Sequence, residues 1–392
     1  MQMLNLLPWL IILPATCYSL LSLWCGLRFF SSATDSQAVG DTIQPAVTIL
    51  KPIKGMDEGS YENFASFCRQ KYKGDLQIIF AVADENDPAV KIIRKLQQDF
   101  ANHEIILNID STINGTNLKI SNLINAFSLA RHDLLIICDS DIRVEPSFLS
   151  SVTSHFNEPS IGLVSSPYRT STLHGNTTAL EALGFCCEML PNVVVARQLE
   201  GLSFALGAAM TFRRVALDDI GGLAALKDYL ADDYQLGNKI HLAGWKLALD
   251  RQPVESMLGK ESFTNIFSRQ LRWARTMRVS RPAGYLVSGI TLPGLAVMGL
   301  LLATLMTNQA ATSLSALLLL YAVRLTVTTI FSRNLLGDKL LPRWSWLLPL
   351  RDLLATASWL GAFTGNRIKW RGHYFKILPD GRLEELNGVN ND

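Results

Sequence analysis

Residues 4–30 form an apolar run with no charged side chain before Arg28. As a helix, that run is long enough to cross a hydrocarbon core of roughly 30 Å. It predicts a transmembrane anchor over residues 1–30. A cleavable signal peptide is the alternative, but such a peptide carries basic residues ahead of its apolar run, and here the nearby positive charge follows it. After a polar linker over 31–45 the pattern changes. Short apolar runs at 47–50, 76–83, 104–109 and 134–138 read as strands, and amphipathic stretches at 61–72, 89–101 and 119–130 read as helices between them. That alternation predicts βαβ units with a parallel sheet, the front of an α/β domain over 46–281 whose second half, from about Pro146, is less regular.

Beyond Arg281 no charged residue occurs until Arg324, and the polar break Thr307-Asn308-Gln309 divides the stretch into two spans, about 284–306 and 311–331. A third apolar run, 341–363, has Pro349, Arg351 and Asp352 near its centre. Ionisable groups there are costly in lipid, so it reads as interfacial or re-entrant. Basic residues flank it on both sides (Arg333, Lys339 and Arg343 before; Arg367, Lys369 and Arg371 after), which keeps both flanks cytoplasmic under the positive-inside rule. The remainder, 366–392, reads as a polar cytoplasmic tail with a turn at Pro379-Asp380-Gly381.

Composition supports the membrane assignment. Of 392 residues, 48% are hydrophobic, rich for a purely soluble enzyme. The net charge of +2, with no basic stripe interleaved with aromatics, argues against nucleic acid as a partner. Six cysteines, at 17, 25, 68, 138, 186 and 187, have neither metal-site nor disulfide-framework spacing and read as buried reduced thiols.

The chemistry lies at the predicted strand ends, where open α/β sheets collect their ligands. Asp139-Ser140-Asp141 follows the run 134–138, and carboxylates at i and i+2 of an extended segment face the same way. Such a pair suits Mg²⁺ or Mn²⁺ shared with a diphosphate, although Asp-x-Asp is also common in turns. Asp84 ends the second strand and is placed to accept hydrogen bonds from a uracil or ribose; the structural alternative, for the Asp84 to Asp87 cluster as a whole, is a helix cap before Pro88. Asp233, in Asp232-Asp233-Tyr234, sits at a helix start and is the candidate base that deprotonates an acceptor hydroxyl, with capping as its structural alternative. Arg269-Gln270-Leu271-Arg272-Trp273 places Arg269 and Trp273 at i and i+4 of a helix, so that guanidinium and indole share a face. Arginine suits a diphosphate and indole gives a wall for sugar or lipid. Arg275, Arg278 and Arg281 read as headgroup-level snorkelling residues. Lys51, Lys54 and Lys119 are further phosphate candidates.

These motifs resemble those of the ceramide glucosyltransferases and their bacterial relatives, with three aspartate motifs followed by (Gln/Arg)-x-x-Arg-Trp. The similarity extends through Leu50-Lys51-Pro52-Ile53-Lys54-Gly55-Met56-Asp57, Val82-Ala83-Asp84-Glu85-Asn86-Asp87-Pro88 and Asn117-Leu118-Lys119-Ile120-Ser121-Asn122-Leu123. The resemblance implies a GT-A-type fold, a UDP-sugar donor, a divalent metal and a membrane-lipid acceptor. It also implies roles: Asp84 to the nucleotide, Asp139 and Asp141 to diphosphate and metal, Asp233 as base, and Arg269, Arg272 and Trp273 to the product diphosphate and acceptor side. Where animal enzymes of this type read Asp-Ser-Gly and Glu-Asp-Tyr, this chain has Asp139-Ser140-Asp141 and Asp232-Asp233-Tyr234, and residues 185–196 lack their His-Pro pair. These departures align it with the bacterial branch, which includes hopanoid-associated enzymes thought to move N-acetylglucosamine onto bacteriohopanetetrol. A bacterial inner-membrane protein with a cytoplasmic catalytic domain is implied. The alternatives are a processive polysaccharide synthase, which shares these signatures but needs an export channel, and a non-enzymatic scaffold.

Overall fold

The computed structural model describes residues 2–31, 44–170, 172–370 and 372–386. Most of the predicted linker, 32–43, and the last six residues of the predicted tail therefore lie outside the described residues. In chain order the strands are β1 (Val47–Ile53), β2 (Leu76–Val82), β3 (Glu104–Ile109), β4 (Leu134–Cys138), β5 (Ile142–Arg143), β6 (Ile161–Ser165), β7 (Tyr168–Arg169), β8 (Ala209–Arg213), β9 (Lys246–Leu249), β10 (Val254–Ser256), β11 (Arg367–Trp370), β12 (His373–Ile377) and β13 (Leu383–Glu385). The main sheet has the order β3-β2-β1-β4-β8-β6-β9. Its strands are continuous apolar runs because both faces are covered; every residue of β4 is buried, for example.

The sheet is mixed, not parallel throughout as the alternation predicts. β1, β2, β3 and β4 pair in parallel, but β8 runs antiparallel to both β4 and β6. The βαβ rhythm read from the first half says nothing about β8, which enters from the irregular second half. A small sheet, β5-β10-β7, lies beside it and carries Ser256.

The first helices lie where predicted and end earlier: Ser60–Cys68, Pro88–Asp99 and Leu118–Phe127. Capping sets two of their starts. Asp87 Oδ1 accepts from Ala89 N at 2.9 Å ahead of Pro88, and Asn117 Oδ1 accepts from Lys119 N and Ile120 N at 3.0 and 3.2 Å. β1 runs beyond its predicted end. Pro52 fits because pairing with β4 has already stopped at Leu50↔Ile137.

Among the described residues, three helical stretches are long and apolar enough to cross a membrane: Leu6–Ser31, Asn176–Leu199 and Ala310–Leu335. A bent pair, Pro282–Thr291 and Pro293–Thr307, meeting at 51°, is a further candidate. Leu305, Met306 and Leu318 turn outward at 83%, 76% and 64% exposure, as lipid-facing residues do. The N-terminal helix packs on the hairpin through Ile12 and Ala15 against Ala296, Leu300, Ala316 and Leu320.

Asn176–Leu199 is different. Most of it is buried inside the protein, and a π-helical turn, Phe185–Met189, interrupts it. It packs between the α/β domain and the apolar helices, although its composition alone would pass for a span. Residues 341–363 become a 3₁₀ turn, Leu341–Leu347, and a helix, Leu348–Gly361. Its two charges point into the protein. Arg351 donates to both Glu188 oxygens at 2.6 Å and to Gln270 at 3.2 Å, while Asp352 accepts from Arg324 at 2.5 Å. Removing one partner of a buried pair strands the other charge, at a cost of roughly 3 kcal/mol. Arg351→Ala should therefore lower the thermal midpoint of the detergent-solubilised protein sharply. A midpoint equal to the parent's would show that the pair contributes no stability.

The C-terminal segment is not a polar tail. β11, β12 and β13 form an antiparallel sheet. Its inner face, Ile368, Phe375, Ile377 and Leu383, packs on Leu230 and Val279 of the α/β domain. The predicted turn is present: Leu378 N donates to Arg382 O at 2.8 Å, and Gly381 adopts φ +86°.

Candidate active site

In an open α/β sheet the ligand crevice lies at the carboxyl ends of the strands, here those of β1, β2 and β4. At the end of β4 the chain turns sharply, with Asp139 N bonded to Ala208 O of the β8 approach at 3.1 Å. Lys51 lies beneath this turn, not in the crevice. It is fully buried within β1, donates to Asp139 O at 2.9 Å and stands over the Phe67 ring at 4.2 Å. The expected contact with phosphate is therefore replaced by an internal one: β1 continues past position 51, so the side chain is part of the sheet's packing.

Asp141 Oδ2 accepts from Ser256 Oγ at 3.0 Å, and Ser140 Oγ donates to Asp57 Oδ2. Burial, followed by the neighbouring Asp139 and Asp57 carboxylates, pushes Asp141 up to about 7. Among the described residues no group of three or more His, Cys, Asp or Glu side chains forms a complete metal cage. Mg²⁺ and Mn²⁺ do not require one when substrate is present, since one or two carboxylates plus phosphate oxygens and water fill the shell. Asp139 and Asp141 fit that incomplete donor set.

Lys119 joins this carboxylate pair to the next motif. Its ammonium lies 2.9 Å from Asp139 Oδ1 and 3.0 Å from Asp232 Oδ2. Burial alone would depress this lysine, but Asp139 and Asp232 hold it well above its usual range, so it stays charged. Asn117, fully buried, fixes the same junction: its amide donates to Tyr229 O at 2.8 Å and approaches Asp232 Oδ1 at 3.4 Å.

Asp233 is the second residue of the helix Asp232–Leu242 and turns toward Gly207. A Cβ at position 207 would come within 2.6 Å of Asp233 Oδ2, so only glycine leaves the carboxyl its place. Burial and then the adjacent Asp232, opposed by Lys119, push Asp233 up to about 6. A carboxyl near that value takes a proton more readily than an ordinary aspartate and is still ionised at neutral pH.

The remaining candidates divide. Asp84 is exposed at the end of β2 and accepts from Asn86 N at 2.9 Å; Asp87, not Asp84, caps the following helix and also accepts from Gly55 N at 2.7 Å. Arg269 is not available to a diphosphate in this structure. Its guanidinium forks between Glu181, with Nε to Oε1 at 2.8 Å, and Glu261, at 2.9 and 2.6 Å. The i, i+4 reading placed it beside Trp273, but buried Glu181 draws it inward while Trp273 stays 39% exposed. Arg272 stands over the Trp370 ring at 5.9 Å. The juxtamembrane arginines do not snorkel. Arg275 and Arg278 reach Arg367 O and Asn366, and Arg281 pairs with Glu200 at 2.5 Å.

Asp57, Asn117, Ser256, Glu181 and Gly207 carry no motif signal by themselves. Asp57 and Asn117 lie in segments that contribute to the resemblance, and that was the available clue.

The sequence model of glycosyl transferase family 21 matches residues 7–383. The chain belongs to this family. Among family relatives, ceramide glucosyltransferase 3 of Caenorhabditis elegans is 24% identical over 350 residues, covering 88% of this chain and 75% of that protein. Ceramide glucosyltransferase 1 of the same organism is 27% identical over 236 residues, covering 60% and 50%. A Candida albicans ceramide glucosyltransferase is 30% identical over a shorter stretch, 31% of this chain and 25% of its own length. Among solved structures, a Pyrobaculum calidifontis mannosyltransferase in complex with GDP-Man and Mn²⁺ is similar at a TM-score of 0.59 and 16% identity, covering 92% of this chain and 98% of that one. The family 21 chain is thus a glycosyltransferase with a GT-A-like fold and candidate membrane helices at both ends.

Proposed function

We propose that this family 21 protein is an inverting glycosyltransferase that moves a hexose from a UDP-sugar to the hydroxyl of a membrane lipid. The observation that carries the reading is the Lys119 bridge, which ties Asp139, the proposed diphosphate residue, to Asp232 beside the proposed base Asp233. Asp139 and Asp141 would hold a divalent cation, Mg²⁺ or Mn²⁺, which when bound offsets the negative charge of the departing diphosphate. Asp233 takes the proton from the acceptor hydroxyl as its oxygen attacks the anomeric carbon. The bond from that carbon to the diphosphate oxygen breaks, and UDP departs. Arg272 supplies a charge for the diphosphate, Trp273 an apolar wall on the acceptor side, and Asp84 an acceptor for the nucleoside. The apolar helices support a membrane-dissolved acceptor, and the basic flanks support a cytoplasmic catalytic domain. The matched relatives are ceramide glucosyltransferases, which supports ceramide; the Asp139-Ser140-Asp141 and Asp232-Asp233 variants support a hopanoid such as bacteriohopanetetrol.

The test is transfer by the detergent-solubilised full chain with labelled UDP-glucose or UDP-N-acetylglucosamine, each paired with ceramide and with bacteriohopanetetrol. One labelled glycolipid supports the reading and names both substrates. A labelled polymer, or no lipid product despite donor binding, overturns it.

A pH profile follows from Asp233. The groups facing it are Asp232, Lys119, Asp139 and Tyr168. Because the base must be deprotonated and its carboxyl is raised to about 6, kcat/KM should fall as the pH drops through about 6 and level off above it. An acid limb in the ordinary aspartate range, near 4, would remove this raised carboxyl from the rate law.

A further inference from the structure

Tyr168 belongs to none of the motifs, yet the small sheet brings it beside the carboxylates of the site. Its strand, β7, pairs in parallel with β10, and Tyr168 lies opposite Val254. Paired residues, and residues two apart along a strand, share a face of the sheet, so the Tyr168 side chain stands on the face that carries Val254 and Ser256. Ser256 is the residue whose hydroxyl donates to Asp141 Oδ2 at 3.0 Å. The Tyr168 ring meets the Phe185 ring edge-on, with centroids 4.9 Å apart. Phe185 opens the π-helical turn one helical turn after Glu181, the partner of Arg269, so Glu181 and Phe185 lie on one helix face. The ring thus packs on the core of the α/β domain and on the core of the apolar helices at once. Asp233, Asp139, Asp141 and Glu181 all act electrostatically on its phenol. Among the described residues that phenol has no hydrogen-bond partner, and the side chain is only half-buried.

We propose that Tyr168 is a further substrate-contacting residue, whose phenol hydroxyl donates a hydrogen bond to a hydroxyl of the hexose being transferred. The proposal rests on the roles proposed above for Asp139 and Asp141 at the diphosphate and for Asp233 as base. In that transfer the anomeric carbon leaves a diphosphate oxygen for the acceptor oxygen, so the hexose must lie between the Asp139 and Asp141 pair and Asp233. Tyr168 faces both. A phenol is protonated at neutral pH, its ordinary value being near 10. Burial, and then Asp233, Asp139 and Asp141, push this one higher. It therefore serves as a donor and not as a second base. Ionised carboxylates can only accept, so a neutral donor among them supplies what they lack toward a sugar hydroxyl. The ring edge, fixed against Phe185, holds that donor in place without long rotatable bonds.

The experiment compares the parent with Tyr168→Phe, both as full-length detergent-solubilised chains, in transfer to lipid and in calorimetric affinity for UDP and for the UDP-hexose. The substitution keeps the ring on Phe185 and removes only the hydroxyl, so the thermal midpoint should match the parent's. Loss of one hydrogen bond to the sugar should lower kcat/KM for the UDP-hexose about tenfold. Binding of the UDP-hexose should weaken while UDP, which has no sugar to contact, binds as it does to the parent. Donors that each lack one sugar hydroxyl identify the partner. One of them should cost the parent what Tyr168→Phe costs with the intact donor, and should cost the variant nothing further. Parent-level kcat/KM in Tyr168→Phe, equal weakening of UDP and UDP-hexose, or losses that multiply for every such donor would each overturn the contact and leave the transferase reading intact. A parent chain that transfers no hexose to lipid sinks that reading instead, and the calorimetric comparison still decides whether Tyr168 touches the sugar.

Discussion

Asp233→Asn is expected to bind UDP-sugar with the parent's affinity and to transfer sugar about 10²–10⁴-fold more slowly, the range for loss of a positioned general base. The substitution keeps the shape of a carboxyl confined by Gly207 and removes only its ability to take a proton. Fold should survive, because burial already favours the neutral form at this position. The informative control is Asp232→Asn. Asp232 is held by Lys119 and Asn117, so it acts on the position of its neighbour and on the Asp139 end of the crevice. Its loss should be smaller and should include a change in donor KM. Donor binding is followed by calorimetry and transfer by glycolipid product. Full turnover by Asp233→Asn, with Asp232→Asn inactive, would transfer the base role to Asp232.

The second large effect is expected at the metal. Dialysis against excess chelator should reduce transfer to background, and added Mg²⁺ or Mn²⁺ should restore it. Offsetting diphosphate charge is worth several kcal/mol, hence on the order of 100-fold or more in rate. Asp141→Asn should raise the metal concentration required for half-maximal activity, because one of two protein oxygen donors loses its charge. The neighbours make the direction clear: Asp139 and Asp57 crowd Asp141 with like charge, and a cation relieves that crowding. Parent-level transfer in chelator would rule out a required divalent metal.

The site was legible in the sequence to the extent that it follows local rules. A carboxylate just beyond a buried strand falls at the carboxyl end of the sheet, and Asp139 and Asp141 follow β4 there. An apolar run ending at a lysine invites a phosphate contact, and that rule misled at Lys51, whose strand continues through Ile53 and whose ammonium turns to Asp139 O. Helical spacing put Arg269 and Trp273 on one face, but spacing carries no knowledge of Glu181, whose buried carboxylate lies 88 residues away along the chain. The same limit explains the juxtamembrane arginines. Their proximity to the hairpin suggested lipid headgroups, and the nearer partners are the C-terminal segment for Arg275 and Arg278 and Glu200 for Arg281.

By itself, then, the sequence determined the apolar helices, the first βαβ units with their caps, and the four motifs that mark a glycosyltransferase, because periodicity and strand-end position are properties of neighbouring residues. Only the tertiary structure decided that β8 reverses the sheet, that residues 176–199 pack within the protein, and that residues 366–386 build against the α/β domain. Each of those depends on contacts between residues far apart in the chain. Whether a charge is spent on a partner or left for a ligand is fixed by which distant side chain arrives beside it.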